Sequence, residues 1–404
     1  MKRIRIIGGG ASGMMAAIHA KTKENDVVIL EKNDRIGKKI LVTGNGKCNL
    51  GNEHLDAGCY YSRNRDFVES VLKQYDTEAT VSFFESIGLK IRSKNGYLYP
   101  YSEQASTVLD VLRMELERRG VKIECGVQIT ECVPSKRGYL LKDQNGKKYE
   151  ADQVVLACGG PASLKDGGMD GYLMMKNLGL NAYPLVPGLV QLRTAGNDQK
   201  GMAGVRCQAC IRLFVDREEK AEERGELQLT DYGISGIPVF QLSRIAAYAL
   251  KDQRQVSVHI DFAPDTSLRE IEDFLFKQQK LRGERTTEDL LTGLLNKKLN
   301  AVLLRKCQIR GNRPNQSLTR EEIRQLAGLL KDYEMMITAV NPFFNAQVCA
   351  GGLALEELDE HMQIRRFPGL YMTGELLDAD GICGGYNLHW AFATGTIAGK
   401  AIRG

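Results

Sequence analysis

Arg3-Ile4-Arg5-Ile6-Ile7-Gly8-Gly9-Gly10-Ala11-Ser12-Gly13 is the stretch whose reading decides the fold. Its first five residues read as a short buried strand, a glycine-rich turn follows at once, and Met14-Met15-Ala16-Ala17-Ile18-His19-Ala20 continues as a helix. Val27-Val28-Ile29-Leu30 is a second strand with Glu31 at its end. Strand, GxGxxG, helix, strand and acid stand in the order that a dinucleotide site requires. Gly8 allows the tight turn, Gly10 lets backbone approach a pyrophosphate, and Gly13 lets helix pack on strand. The helix N-terminus offers unpaired N–H groups and the positive end of a dipole. Glu31, 23 residues after Gly8, is placed to accept from ribose hydroxyls, and an acid there favours an unphosphorylated ribose (NAD or FAD) over NADP.

Around this motif, 404 residues are too many for one ordinary core, so two or three domains are expected. Charged residues make up 26% and hydrophobic ones 43%, the balance of a globular enzyme. The net charge of +5 is mild and mixed in sign, so no nucleic-acid partner is expected. No apolar run reaches membrane-spanning length, so no membrane contact is expected either. Met1-Lys2-Arg3 leads straight into the first strand without room for a cleavable signal, which predicts a cytoplasmic location. The ten cysteines are scattered singly, as reduced thiols would be. Cys207-Gln208-Ala209-Cys210 is the one close pair. Its surroundings read as a strand, where residues i and i+3 point to opposite faces, and no second pair completes a metal site. No metal is predicted.

Taken in order, Lys32, Lys38 and Lys39 are followed by the loop Thr43-Gly44-Asn45-Gly46-Lys47-Cys48-Asn49. Together they can surround phosphate oxygens with ammonium groups and backbone amides. Helical spacing covers 64–88 and 103–119, with a hairpin around Gly96 between them. Strands and a meander fill 121–150, and Val154 to Leu156 form a buried strand that runs into Ala157-Cys158-Gly159-Gly160. Asp170 is predicted to cap a helix that Gly179 closes. Residues 189–262 read mostly as strands, with one helix after Pro238. Residues 266–332 are helical and highly charged, and their basic members (Lys297, Lys298, Arg305, Lys306, Arg310, Arg313) read as a solvated surface. The tail holds Gly374-Glu375, Asp378-Ala379-Asp380-Gly381 and Gly384-Gly385-Tyr386-Asn387-Leu388, then a helix with small residues at Gly395 and Gly399.

These segments resemble bacterial flavoproteins with two dinucleotide-binding domains, the NAD(P)/FAD-dependent oxidoreductases of the BaiN and aminoacetone oxidase type. The resemblance runs nearly end to end and is strongest at the TGxGxCN loop and the GExLDxDG…GGYN tail. It implies an α/β fold: a Rossmann-like FAD-binding domain, its mostly parallel sheet flanked by helices on both faces, with an inserted β-barrel-like plus helical domain. The implied division is 1–188 and 346–404 for the FAD domain, 189–264 and 333–345 for the β-rich insertion, and 265–332 for a small helical subdomain. By position, the resemblance puts Gly8, Gly10, Ala11, Ser12 and Gly13 at the pyrophosphate, Glu31 at the ribose and Val127 at the adenine. It puts Glu375 on the ribityl chain and Gly384 to Leu388 over the pyrimidine end of the isoalloxazine, with Ala157, Gly159, Gly374 and Asp380 lining the same site. Two places depart from the family pattern. The run Pro161-Ala162-Ser163-Leu164-Lys165-Asp166 follows Gly160, and Cys383 and His389 stand where Thr and Gln are usual.

The expected chemistry is exchange of a hydride between flavin N5 and a small-molecule substrate, with the protein positioning and tuning the flavin. Amides at the start of the last helix would stabilise charge developing at N1 and O2. Tyr386 and His389 are the catalytic candidates, for proton transfer or substrate contact. The leading reaction is reduction or dehydrogenation of a C–C or C=C bond beside a carbonyl. A small-amine oxidase and a flavin-dependent RNA-modifying protein are the alternatives. No second good GxGxxG is present, so electrons come from a transiently bound NAD(P)H or from the substrate itself. Oligomeric state is left unassigned.

Overall fold

A computed structural model describes residues 1–163 and 168–403. Leu164, Lys165 and Asp166 of the departing run lie outside them. The chain divides into two compact units, 1–186 with 347–404, and 187–346.

The first unit is built on a five-stranded parallel sheet. Its order is Leu370–Met372, Gln153–Leu156, β1 (Lys2–Ile7), β2 (Asn25–Glu31) and Lys122–Cys125. The inner strands are nearly continuous aliphatic runs because both faces are covered, as parallel sheets require. Ile4, Ile6, Val27, Ile29, Val154 and Val155 are all fully buried. Ile7 stands opposite both Leu30 and Leu156, so the two neighbouring strands end level with the turn that leaves β1. That turn enters helix α1 (Ala11–Ala20), which Lys21 ends in extended backbone.

Against α1 lies the C-terminal helix, Tyr386–Arg403. The approach is too close for side chains. A methyl group on Gly395 would overlap the Ser12 carbonyl oxygen, and one on Gly399 would sit 2.6 Å from that of Ala16. The small residues of the tail therefore bring the end of the chain onto its opening motif.

Three sequence expectations are corrected here. Asp170 does not cap its helix, because it is the first helical residue of Asp170–Asn177 and Met169 holds the cap position. Its carboxylate instead accepts from Gln128 Nε2 at 2.8 Å and pairs with Lys32 at 3.4 Å. The span 64–88 is two helices, Arg65–Gln74 and Thr77–Ser86, and Asp76 starts the second by accepting from the Ala79 amide at 2.8 Å. The mostly stranded region also contains a short helix, Asp198–Met202.

The second unit is a closed antiparallel barrel with helices packed on it. Going round it, the strands are Leu192–Thr194, Gly233–Ser235, Glu218–Leu229, Arg206–Val215, Val256–Asp261 and Tyr333–Val340. Ala209, Ile211, Leu213 and Val215 alternate inward along one strand. The charged segment 266–332 folds as helices with no core of its own. Ile271, Leu275, Leu303, Ile323 and Leu326 belong to the same apolar cluster as the barrel residues. Cys207 and Cys210 lie on the strand Arg206–Val215, and both are free thiols.

Replacing Gly395 by alanine forces α1 and the C-terminal helix apart. Thermal unfolding is expected to show a loss of about 1–3 kcal/mol, the usual cost of overpacking. An unchanged melting temperature would show that the two helices do not bear on each other.

Candidate cofactor site

The site begins with the glycines. Gly8 takes φ +104°, and its amide donates to the Leu30 carbonyl at 2.9 Å. A side chain there would collide with the Ala157 carbonyl, and one on Gly13 with the Gly8 carbonyl. Gly10 differs, because no atom lies within 4 Å of where its Cβ would be. It is also the N-cap of α1, whose first turn has neither a side-chain cap nor an acidic residue. The first-turn amides thus face an open cradle at the positive end of a helix, which is the donor set a pyrophosphate needs.

Glu31 stands at the end of β2, beside the glycine turn. Its buried carboxylate accepts from the Gly9 amide at 2.7 Å and the Asn33 amide at 2.8 Å, so it also fixes the glycine turn. Val127 is brought beside it, its amide donating to the Glu31 carbonyl at 2.9 Å.

A second carboxylate ties the rest together. Glu375 accepts from Lys39 Nζ at 2.8 Å, the Gly160 amide at 3.0 Å and the Cys349 amide at 2.9 Å. Four segments far apart in sequence meet at that group. Gly374, at φ +71°, lies so near Ser12 that a Cβ would be 2.7 Å from its hydroxyl. Its amide donates to Thr394 Oγ1 at 3.0 Å and its carbonyl accepts from Trp390 Nε1 at 3.2 Å. The strand Val348–Leu353 was missed as part of this site. Its Gly351-Gly352 pair, both at positive φ, was the available signal, the same kind of doublet as at 159–160 and 384–385.

The 43–49 loop and the tail also converge. Thr43 Oγ1 donates to the Ile40 carbonyl at 2.6 Å, and Gly44, Asn45, Gly46 and Cys48 all take positive φ. Burial pushes the Cys48 thiol up to about 12, so it is an inert core group. Asn49 Oδ1 lies 2.6 Å from where a Gly385 Cβ would be, and Asn52 Nδ2 donates to the Gly384 carbonyl at 3.2 Å. Asn387 is turned inward, accepting from the Gly381 amide at 2.9 Å and donating to its carbonyl at 2.7 Å. Asp380 is buried beside them on a strand pair with Tyr61, and Leu388 is half-buried against the core. Lys39 reaches this convergence, whereas Lys38 pairs with Asp34 at 2.6 Å and Lys32 with Asp170 at 3.4 Å.

The structure places both catalytic candidates in the interior. Tyr386 is buried, and its hydroxyl donates to the His54 carbonyl at 2.9 Å. His389 is fully buried, with Nε2 at 3.0 Å from the Tyr75 carbonyl and Nδ1 at 3.1 Å from Thr80 Oγ1. Since a carbonyl only accepts, Nε2 carries the proton and Nδ1 accepts from the threonine. Burial pulls the pKa of this imidazole down to about 4. Both side chains face inward because the C-terminal helix packs on that side, so neither is open to a substrate.

An uncapped glycine cradle, an acid ending the second strand and a tail folded back onto the same helix make this a dinucleotide-binding protein of Rossmann type. Residues 2–401 match the HI0933-like protein Rossmann domain, and the chain belongs to that family. It is 44% identical over 406 residues to a 3-dehydro-bile acid delta(4,6)-reductase of Clostridium scindens, covering 99% of each chain. It is 28% identical to a ribosomal RNA dihydrouridine synthase of Escherichia coli, over 96% of this chain and 95% of the other. Among solved structures, a 3-ketosteroid delta1-dehydrogenase of Sterolibacterium denitrificans aligns over 100% of both chains at 13% identity, with a TM-score of 0.49. At that distance it says nothing of the site. The protein is an FAD-dependent oxidoreductase, and the residues above fit that cofactor.

His389 generates a pH prediction. An unfolded histidine titrates near 6.5, whereas the folded one stays neutral to about 4. Between these values the unfolded chain takes up a proton that the folded chain refuses, so stability falls as pH falls through this window and levels off below it. His389→Gln keeps a side chain able to bond Thr80 and Tyr75 but removes the titration. Urea unfolding at pH 7 and pH 4.5 is expected to show wild type losing on the order of 2–3 kcal/mol more than the variant. Equal losses would show that His389 is already solvated in the folded state.

Proposed function

We propose that this enzyme reduces a C=C bond conjugated to a ketone in a polycyclic, steroid-like substrate. The observation that carries this reading is the 44% identity over 99% of both chains to the delta(4,6)-reductase. When bound, FAD supplies two electrons as a hydride. Reduction would put that hydride on the substrate's β-carbon and a proton on its α-carbon.

This chain's own contribution is positioning and electrostatics. The first-turn amides of α1 hold the pyrophosphate, and Glu31 holds the ribose while fixing the Gly9 turn. Glu375 serves the ribityl side and is oriented by Lys39 and two amides. The start of the C-terminal helix, near Gly384 and Gly385, puts a positive dipole end beside the pyrimidine ring, where negative charge grows on reduction. Since Tyr386 and His389 are bonded internally, the proton comes from solvent or from another group. NAD(P)H, binding transiently, is the proposed electron donor. All ten cysteines are free thiols, which supports a reducing, cytoplasmic setting, and no helix among the described residues is long and apolar enough to cross a membrane.

A second reading is favoured by the dihydrouridine synthase relative: reduction of a uracil ring within RNA, also a C=C bond beside a carbonyl. Against it, three of the basic residues of segment 266–332 are engaged within the protein. Arg305 and Lys306 share Asp198 at 2.7 and 2.8 Å, and Arg313 pairs with Glu322 at 2.6 Å.

The test is anaerobic. Dithionite-reduced protein is mixed with a 3-oxo-4,6-diene steroid acid, and reoxidation of the yellow chromophore is followed together with loss of the dienone absorbance. Both changes are expected, with the visible spectrum of FAD in the purified protein. Reoxidation by air alone, with peroxide formed, would replace this reading by an amine oxidase. Salt-sensitive RNA binding with dihydrouridine as the product would replace it by the RNA reading.

A further inference from the structure

One side-chain donor beside the C-terminal helix has no acceptor among the described residues. It belongs to Asn49, which closes the 43–49 loop and is only 9% exposed. The backbone is fixed on either side of it, as the Cys48 amide donates to the Thr43 carbonyl at 3.2 Å and the Leu50 amide to the Leu98 carbonyl at 2.8 Å. The side-chain oxygen of Asn49 accepts from the Gly51 amide at 3.4 Å. An amide N–H needs an acceptor, so the atom facing Gly51 is the oxygen and Nδ2 points away from it.

The other asparagines of this convergence differ. Asn52 Nδ2 donates to the Gly384 carbonyl at 3.2 Å, and Asn387 Nδ2 to the Gly381 carbonyl at 2.7 Å. A donor left unpaired at such burial is costly, and a ligand that supplies the acceptor removes the cost. What the Asn49 carboxamide lies against is the start of the C-terminal helix. A Cβ on Gly385 would stand 2.6 Å from its Oδ1 and 2.8 Å from its Cγ. The Gly385 carbonyl in turn takes the first bond of that helix, from the His389 amide at 3.1 Å. The helix is 18 residues long and has no acidic residue in its first turn. A free side-chain donor and the positive end of a long helix therefore open side by side, within one compact unit.

We propose that Asn49 Nδ2 donates a hydrogen bond to the pyrimidine edge of the flavin, at N1 or the C2 carbonyl, and thereby raises the reduction potential of the cofactor. The assignment rests on the placement of that ring beside Gly384 and Gly385 under the function proposed above. The edge is neutral in the oxidised flavin and gains negative charge on reduction. A donor already held in place bonds more strongly as that charge grows, so it favours the reduced form. A phosphate is charged in both states and would draw the same benefit from the donor before and after reduction. Asn49 therefore acts on the redox equilibrium and not on binding alone.

Spectroscopic redox titration of the full-length holoenzyme at pH 8, with FAD binding measured alongside, tests it on two variants. Asn49→Leu is expected to shift the reduction equilibrium of the bound FAD at least tenfold against reduction, about 30 mV for a two-electron couple. Asn49→Asp keeps the acceptor for Gly51 but puts a carboxylate in place of the donor, so it should lower the potential further. In both, reduced FAD should lose more affinity than oxidised FAD, by the factor that the potential reports. A potential unchanged in both variants would overturn the proposal, whether FAD affinity holds or falls, and so would equal loss of the two forms of FAD. Dienone reduction by wild type with unshifted potentials in the variants would leave the function standing and remove only this role of Asn49. Failure of the function reads differently: the potentials shift as expected, but wild type reduces no dienone.

Discussion

The constraint on which the first unit depends is the absence of space around the N-terminal half of α1. At Gly13 the helix is too close to the Gly8 carbonyl for any Cβ, Gly8 itself is pressed against the Ala157 carbonyl, and at Gly395 and Gly399 α1 and the C-terminal helix leave no room either. These contacts place backbone against backbone, so the helix cannot shift without losing packing along both of its neighbours. A fixed helix means fixed first-turn amides, which is the preorganisation an anion cradle needs, since donors already aimed cost no reorganisation when the ligand arrives.

Around this helix the polar groups do structural and ligand-directed work together. Glu31 holds the Gly9 turn with the carboxylate proposed to meet the ribose. Glu375 joins Lys39, Gly160 and Cys349 with the carboxylate proposed to meet the ribityl chain. Charge-assisted bonds of this kind stiffen loops that carry few apolar contacts of their own. The tail is likewise braced from inside: Tyr386 by His54, Asn387 by Gly381, and His389 by Tyr75 and Thr80. A conspicuous tyrosine and histidine thus serve to hold the C-terminal helix in place.

The barrel unit applies the same logic to a different group. Burial and paired hydrogen bonds make Asn341 rigid, and Asn341 makes Arg193 rigid. Its helices, despite their charge, add apolar faces to the barrel core rather than forming a separate one.

The elbow from Arg3 to Glu31 was legible in the sequence because its determinants are local. Glycine spacing, aliphatic runs and a terminal acid act within some 30 residues, and the resemblance at the 43–49 loop and the 374–388 tail extended that reading to the whole fold. The parallel sheet and the closed barrel follow the expectation. What the sequence left undecided was which side of an element each polar residue would face. Helical spacing alone allowed Tyr386 and His389 to look outward, and only the packing of the C-terminal helix turned them into the core. Nothing near Glu375 in the sequence pointed to Lys39, Gly160 or Cys349, and nothing near Arg193 to Asn341. Such partnerships join residues 26 to 336 positions apart. Pattern along the chain determined the elements and the cradle, because those arise from neighbours. Tertiary structure decided the polar partnerships, because a hydrogen bond depends on distances in space that sequence separation does not encode.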